Sequence, residues 1–296
     1  MHVVTLRDPS SSVTVQWVPD GGMIATSLTD AGTELLGQRR GLDAYLSDGK
    51  TMGIPILYPW ANRLGDNNYT AENVTVTLTP GDNGVRPDPN GLPIHGVLAA
   101  YPGWRVTAES ATELTAEVDF GADPRLLASF PYPHLLAVTA RLAERTLTVR
   151  TTITATGEAA VPLCFGFHPY LQLPDVARSE WIIETPSLRH LSLDAKGLPT
   201  GDTAKQQAKT EPLGDKAFDD AYDQVADGAV FAVSGGGRRF EVHFEQGYPA
   251  AQIFAPLAED VVCFEPMTAP TDALRRGGYR SARPGEPAVA QFSIRV

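Results

Sequence analysis

The chain has 296 residues, enough for one large all-β domain or two smaller domains. Its 24 basic residues are outnumbered by 35 acidic ones, and the net charge of −11 argues against binding nucleic acid or an anionic membrane through a basic face. Because no apolar run reaches the length of a membrane span and the N-terminus lacks a signal-peptide pattern, we expect a cytoplasmic protein that does not enter the membrane.

Short segments of alternating apolar and polar residues follow one another along the chain. This period of two is typical of strands with one buried face, and it recurs at residues 12–18, 73–78, 114–120, 181–184, 230–233, 240–244 and 289–294. The clearest hairpin spans residues 135–154, with its turn at Ala143-Glu144-Arg145. The pattern predicts an all-β fold, an antiparallel sandwich or barrel, formed by one domain over residues 1–296.

Two segments depart from this pattern. Residues 194–216 are polar and carry four lysines, so we expect a long surface loop there. One short helix is predicted from Thr271, whose hydroxyl would cap it, to Arg275. The two cysteines, Cys164 and Cys263, lie in apolar segments and are expected to be small buried hydrophobes rather than a disulfide pair.

A glutamate at the end of an apolar segment is the most informative feature. Residues 261–264 predict a buried strand that ends at Glu265, because Pro266 cannot supply a backbone N–H to the next strand. A carboxylate is rarely buried without a partner, since its desolvation is costly. We therefore expect another polar group, or a substrate, to face Glu265.

Four other groups of polar residues are candidates for the same site. Each one alone is more typical of a structural hydrogen bond, an ion pair or a turn. No HxH, HExxH or CxxC spacing is present, so we expect no metal site. The groups are Asn62-Arg63 in an aromatic loop, His95-Gly96, His168 between an apolar segment and Pro169, and Asp219-Asp220.

Taken in order, these segments resemble the aldose 1-epimerase (galactose mutarotase) family. The most specific ones are Gly166-Phe167-His168-Pro169-Tyr170 and the segment Glu-Pro-Met-Thr-Ala-Pro-Thr at residues 265–271. The resemblance extends from about Gly22 to the C-terminus. It implies a large antiparallel β-sandwich with few short helices and a sugar-binding cleft across one curved sheet.

The resemblance also implies roles for seven residues. Glu265 corresponds to the general base and His168 to the general acid. Arg63, His95 and Asn62 would bind near the reacting end of the sugar, whereas Gln252 and either Asp219 or Asp220 would bind other hydroxyls. The implied substrate is a free aldohexose of the glucose or galactose type, converted without cofactor or metal by a monomer or homodimer.

Mutarotation requires chemistry that these residue types can supply. A base removes the proton of the C1 hydroxyl while an acid protonates the ring oxygen, and the two exchange roles when the ring closes. We expect an ionised Glu265 to keep His168 protonated. The acidic limb of the pH profile would then belong to the carboxylate and the basic limb to the imidazole.

The same residues are compatible with three alternative functions. A hexose-6-phosphate mutarotase would need cations, for which Arg39, Arg40 and Arg86 are available. A noncatalytic carbohydrate-binding or sensing protein would use the aromatic loop with Tyr58, Trp60 and Tyr69 instead of Glu265 and His168. A glycoside-active enzyme would use Glu265 and Asp219 as paired carboxylates about 5 to 9.5 Å apart.

Overall fold

The computed structural model describes all 296 residues and consists mainly of short antiparallel strands. In the first half of the chain these are β1 (Val4–Arg7), β2 (Thr14–Val18), β3 (Ile24–Asp30), β4 (Thr33–Glu34), β5 (Ile56–Leu57), β6 (Asn68–Ala71), β7 (Val74–Thr77), β8 (Arg86–Pro87), β9 (Pro93–Ile94), β10 (Arg105–Glu109), β11 (Glu113–Asp119), β12 (His134–Ala143) and β13 (Thr146–Ala155). In the second half they are β14 (Val161–Leu163), β15 (Gly166–Phe167), β16 (Tyr170–Leu171), β17 (Ile182–Thr185), β18 (Leu188–Leu193), β19 (Pro199–Gln206), β20 (Lys209–Pro212), β21 (Phe218–Asp223), β22 (Ala229–Gly235), β23 (Arg238–Gln246), β24 (Ala250–Ala255), β25 (Val262–Met267), β26 (Arg280–Ala282) and β27 (Ala288–Arg295).

Three short α-helices interrupt the strands: α1 (Gly41–Asp48), α2 (Pro124–Ser129) and α3 (Ala273–Arg276). None of them combines the length and the hydrophobicity that crossing a membrane requires.

Two large sheets form the body of the protein. One has nine strands in the order β10-β11-β12-β13-β27-β23-β22-β17-β20, and the other has the order β19-β18-β21-β24-β25-β15-β5, with β16 also paired to β25. Aromatic side chains join them: Phe167 packs on Phe292 with ring centroids 5.0 Å apart, and Phe231 packs on Phe264 at 5.5 Å. These contacts belong to a core cluster of 68 buried residues, and burial of this much apolar surface is the main source of stability.

The all-β prediction and the large antiparallel β-sandwich are confirmed. The predicted hairpin is β12–β13, whose turn consists of Glu144 and Arg145, both with positive φ, as a type I′ turn requires. The other alternating segments correspond to β2, β7, β11, β17, β22, β23 and β27. Both cysteines are free and buried, as predicted.

Three local predictions are wrong. Strand β25 does not end at Glu265 but continues through Pro266 to Met267. Proline is tolerated there because Pro266 lies opposite the gap between β15 and β16, where β25 has no partner strand on that side.

The other two wrong predictions concern the polar segment and the short helix. The polar segment 194–216 is not a loop, because it contains β19 and β20, which pair with β18 and β17. The helix near Thr271 begins at Ala273, and its N-terminal flanking residue is Asp272, with a φ of 66°. The Thr271 hydroxyl makes no hydrogen bond, since the side chain is buried one residue before the position where it could cap the helix.

Candidate active site

The register of three neighbouring strands directs polar side chains to one face of the second sheet. Gln252 on β24 pairs with Glu265 on β25, and Asp219 on β21 pairs with Phe254. Cross-strand partners and residues two apart lie on the same face of a sheet, so Glu265, Gln252 and Asp219 share this face. Asp220 points to the other face, where its carboxylate lies 3.2 Å from His190.

His168 reaches the same face from the link between β15 and β16. Its backbone N–H donates to Pro55 O at 3.1 Å, which fixes the link in place. Gly166, two residues before His168, is required because a Cβ there would lie 2.6 Å from Pro266 O. The imidazole Nε2 lies 3.2 Å from Glu265 Oε1, and both side chains are almost completely buried.

His95 and Asn62 approach from loops with left-handed backbone. Their φ angles are 60° and 53°, and the His95 N–H donates to Asn62 O at 2.9 Å. Gly96 follows because the Cβ of any other residue at this position would lie only 1.9 Å from Tyr58 O. The His95 ring lies edge-on to that of His168, with centroids 5.8 Å apart.

Arg63 is held from behind by a buried aspartate. Its Nε donates to Asp88 Oδ2 at 2.8 Å, and its Nη1 donates to Asn62 Oδ1 at 3.0 Å. The Asp88 side chain is inaccessible to solvent and also accepts the N–H groups of Asn90 and Leu92. Asp88 was not predicted from the sequence, because it lies in a Pro-Asp-Pro-Asn turn that gives no sign of a second role.

These residues surround a cavity of about 130 Å³. Six of the seven predicted site residues line it: Asn62, Arg63, His95, His168, Asp219 and Glu265. The seventh, Gln252, is buried beside them, and its Nε2 donates to Asp219 Oδ1 at 2.7 Å. Tyr170 and Phe254 also line the cavity, although the sequence analysis gave them no role.

Several buried polar atoms of the site have no hydrogen-bond partner within the protein. They are His95 Nδ1, His168 Nδ1, Gln252 Oε1 and Glu265 Oε2. Buried polar groups are rarely left unsatisfied, because each one costs the free energy of its desolvation. A ligand that carries many hydroxyl groups would satisfy such a set.

Burial also decides the protonation of the site. It raises the pKa of Glu265 well above its ordinary value, with a further contribution from the charge of Asp219. It lowers the pKa of His168 well below its ordinary value, helped by His95 and Arg39. The predicted ion pair is therefore disfavoured in the ligand-free protein. Glu265 is protonated and His168 is neutral, so the two groups together hold one proton. Burial lowers the pKa of His95 to about 3, so this imidazole is neutral.

The aromatic loop does not form a sugar-stacking surface. Tyr58, Trp60 and Tyr69 are buried in the core cluster. Tyr58 Oη lies 2.6 Å from His134 Nε2, and Tyr69 Oη donates to Ser129 O at 2.7 Å. These rings are therefore not available to a ligand, as a noncatalytic binding protein would require, because they are packed in the core.

Comparison with known proteins identifies the family of this chain. A sequence model of the aldose 1-epimerase family matches residues 2–295. The chain belongs to the aldose 1-epimerase family. Members of this family act on sugars, and the cavity described above has the polar lining that a sugar requires.

Solved structures that resemble this aldose 1-epimerase family member share its fold at low sequence identity. A protein from Synechocystis sp. is 22% identical with a TM-score of 0.80, and the match covers 99% of this chain and 95% of that one. A galactose mutarotase related enzyme from Lactobacillus acidophilus is 16% identical with a TM-score of 0.80, over 99% and 97% of the two chains. An aldose epimerase homologue from C. elegans is 15% identical, also with a TM-score of 0.80, over 99% and 98%.

Proposed function

We propose that this protein is an aldose 1-epimerase (mutarotase) that interconverts the α and β anomers of a free aldohexose of the glucose or galactose type. The observation that carries the proposal is the 3.2 Å contact between His168 Nε2 and Glu265 Oε1 at a polar cavity. A carboxyl and an imidazole this close, sharing one proton, form an acid and a base that can exchange roles.

The reaction needs one proton on the pair. The base removes the proton of the C1 hydroxyl, the C1–ring oxygen bond breaks, and the acid protonates the ring oxygen, which leaves an open-chain aldehyde. Rotation about C1–C2 presents the other face of the aldehyde, and closure returns both protons. A sugar hydroxyl that donates to Glu265 favours the carboxylate, so substrate binding moves the shared proton to His168 and makes Glu265 the base.

The remaining residues orient the sugar. Arg63, held by Asp88 and Asn62, and the neutral His95 stabilise charge that develops on the oxygens of the reacting end. Asp219 and Gln252 form the other side of the site and bind hydroxyls away from C1. No step needs a metal, a nucleotide or a redox cofactor.

The two neighbouring aspartates give a matched pair of variants. Asp219→Asn is expected to raise the KM for the sugar about tenfold, because a charged hydrogen-bond acceptor contributes about 1.5–3 kcal/mol. Asp220→Asn, on the other face and in contact with His190, is expected to leave KM within about twofold of wild type. Steady-state kinetics with both variants measures the difference. A larger effect of the Asp220 variant would assign the sugar to the other aspartate.

The dependence of kcat/KM on pH is expected to be bell-shaped. In contrast to the expectation from the sequence, its acidic limb belongs to His168 and its basic limb to Glu265. At low pH the pair gains a second proton on His168, and burial places this acidic limb below about pH 6.5, the ordinary pKa of histidine. At high pH the pair loses its only proton, and burial of Glu265 moves this basic limb above the ordinary range of a carboxyl. The dependence of kcat/KM on pH measures both limbs. An acidic limb above pH 7 would contradict this assignment.

Polarimetry tests the proposal directly. Freshly dissolved α-D-glucose or α-D-galactose should reach its equilibrium rotation faster with the protein than without it. His168→Asn is expected to remove most of this acceleration, about 10²–10⁴-fold for a positioned acid–base group, while sugar binding is largely kept. Unchanged rates with wild-type protein on both sugars would overturn the proposal.

The same assay separates the alternatives. Arg39 is paired with Glu259, which leaves less positive charge for a phosphate, so glucose 6-phosphate is expected to be a poorer substrate than glucose. The buried aromatic loop removes the support for a binding-only protein. Hydrolysis by Glu265 and Asp219 is also disfavoured, because His168 already contacts Glu265 and Gln252 already contacts Asp219.

A further inference from the structure

Arg39 extends towards the candidate site from the segment between β4 and α1. Its Nη1 donates to Tyr170 Oη at 3.0 Å and to the backbone carbonyl of Thr51 at 3.1 Å. The guanidinium carbon lies 4.7 Å from the centroid of the Tyr170 ring. A cation is therefore fixed against a tyrosine that lines the cavity.

Glu259, in the turn between β24 and β25, accepts two hydrogen bonds from this guanidinium. Arg39 Nε donates to Glu259 Oε2 at 2.6 Å, and Nη2 donates to Oε1 at 2.8 Å. The two side chains are 22% and 36% exposed, so the pair adds little to stability by itself. The bidentate contact does fix the position of the guanidinium charge.

Tyr170 connects this ion pair to the buried acid–base pair. Its hydroxyl lies 3.1 Å from His168 Nε2 and 2.7 Å from the Thr51 hydroxyl. Its ring stacks on the imidazole at 4.2 Å with an interplanar angle of 11°. The same Nε2 contacts Glu265, so one continuous chain of contacts runs from Glu259 through Arg39, Tyr170 and His168 to Glu265.

We propose that Arg39, clamped by Glu259 and joined to His168 through Tyr170, is a positioning residue that sets how strongly the His168–Glu265 pair holds its shared proton. This inference rests on the function proposed above. A nearby cation disfavours added protons and makes protonated His168 a stronger acid towards the ring oxygen of the sugar. Glu259 partly cancels that charge, so the two members of the ion pair act on the proton in opposite directions.

Other titratable groups also face His168, and they are unchanged in the test variants. They are Glu265 and Cys263 on β25, Tyr170 on β16, His95 after β9, Arg63 after β5 and Asp219 on β21.

Neutralising each member of the ion pair separately gives opposite predictions. Arg39→Gln removes the cation, so both limbs of the kcat/KM profile should move to higher pH, by about half a unit or more. Glu259→Gln keeps a hydrogen-bond acceptor for Arg39 but removes the opposing charge, so both limbs should move to lower pH. Arg39→Lys keeps the charge and loses the two-point contact, so its limbs should stay near the wild-type positions while kcat falls.

If the ion pair had only a structural role, Arg39→Gln and Glu259→Gln would break the same contact. Both variants would then change the kcat/KM profile in the same direction. Shifts of one sign, or none, would overturn the proposal. The control pair Arg105→Gln and Glu117→Gln, in the other sheet, should leave the profile unchanged.

A second readout does not depend on activity. NMR titration of the His168 imidazole in wild type, Arg39→Gln and Glu259→Gln should show the same opposite shifts. If the wild type proves inactive on sugars, the proposed function fails while this titration still tests the electrostatic role. If the wild type is active but Arg39→Gln and Glu259→Gln do not shift the His168 titration in opposite directions, only the proposed role of Arg39 fails.

Discussion

Glu265→Gln is expected to abolish mutarotation and at the same time make the ligand-free protein more stable at neutral and alkaline pH. The folded-state pKa of Glu265 is raised by burial, so the stabilisation this group contributes is present at low pH and is lost as pH rises through that pKa. Glutamine has no proton to lose and avoids this cost. The expected gain in melting temperature is about 2–5 °C, small at pH 5 and larger at pH 8, alongside a loss of about 10²–10⁴-fold in rate.

Calorimetry across this pH range, paired with polarimetry, measures both effects. Glu117→Gln, which changes an ion-paired glutamate on the other sheet, should show no gain that grows with pH. A Glu265→Gln protein that is less stable than wild type at pH 8 would mean that the carboxylate is well accommodated in the fold. Such a gain in stability at the expense of activity is typical of residues kept for chemistry.

Asp88→Ala is expected to cause the largest loss of stability among the site variants, about 3–5 kcal/mol, because it leaves Arg63 without its buried partner. The N–H groups of Asn90 and Leu92 also lose their acceptor. Asp88→Asn keeps an oxygen for those N–H groups but removes the charge facing Arg63. The free energy of unfolding of Asp88→Asn should therefore lie closer to that of wild type, while its kcat/KM still falls.

Urea unfolding and steady-state kinetics separate the two contributions. Asp82→Ala, in the same segment but exposed, should stay within about 0.5 kcal/mol of wild type. If Asp88→Asn retained full activity, the charge of Asp88 would not be needed to hold Arg63.

From the sequence one could select the residues that the fold brings to one cavity, but not the residues that hold them in place, and the reason is geometric. Glu265 stands out because a carboxylate follows an apolar segment, and strand alternation then fixes the face on which it lies. Asp88 carries no such signal, since it resembles any aspartate in a proline-rich turn. The ion pair of Arg39 and Glu259 joins residues 220 apart in sequence, which no local pattern can reveal.

The protonation of the site could not be predicted from residue types alone. A carboxylate beside an imidazole suggests an ion pair, and that is the expectation from charge proximity. Both groups are almost completely buried in the folded protein, and desolvation favours their neutral forms. How deeply a side chain is buried depends on the packing of distant segments and becomes known only with the fold.

The strands in the polar segment were missed for a related reason. β19 has nearly all of its side chains exposed, so it has no buried face to impose alternation on the sequence. It forms because its backbone pairs with β18, as β20 does with β17. Backbone pairing leaves little trace in side-chain pattern.

β19 and β20 are also the outermost strands at one end of each large sheet. An outermost strand offers unpaired N–H and C=O groups on which another molecule could build further β-structure, and natural proteins discourage this with charged residues, lysine above all. Lys205 and Lys209 lie on these strands, with Lys196 and Lys216 nearby. Charged side chains along both edge strands therefore disfavour edge-to-edge pairing with another chain.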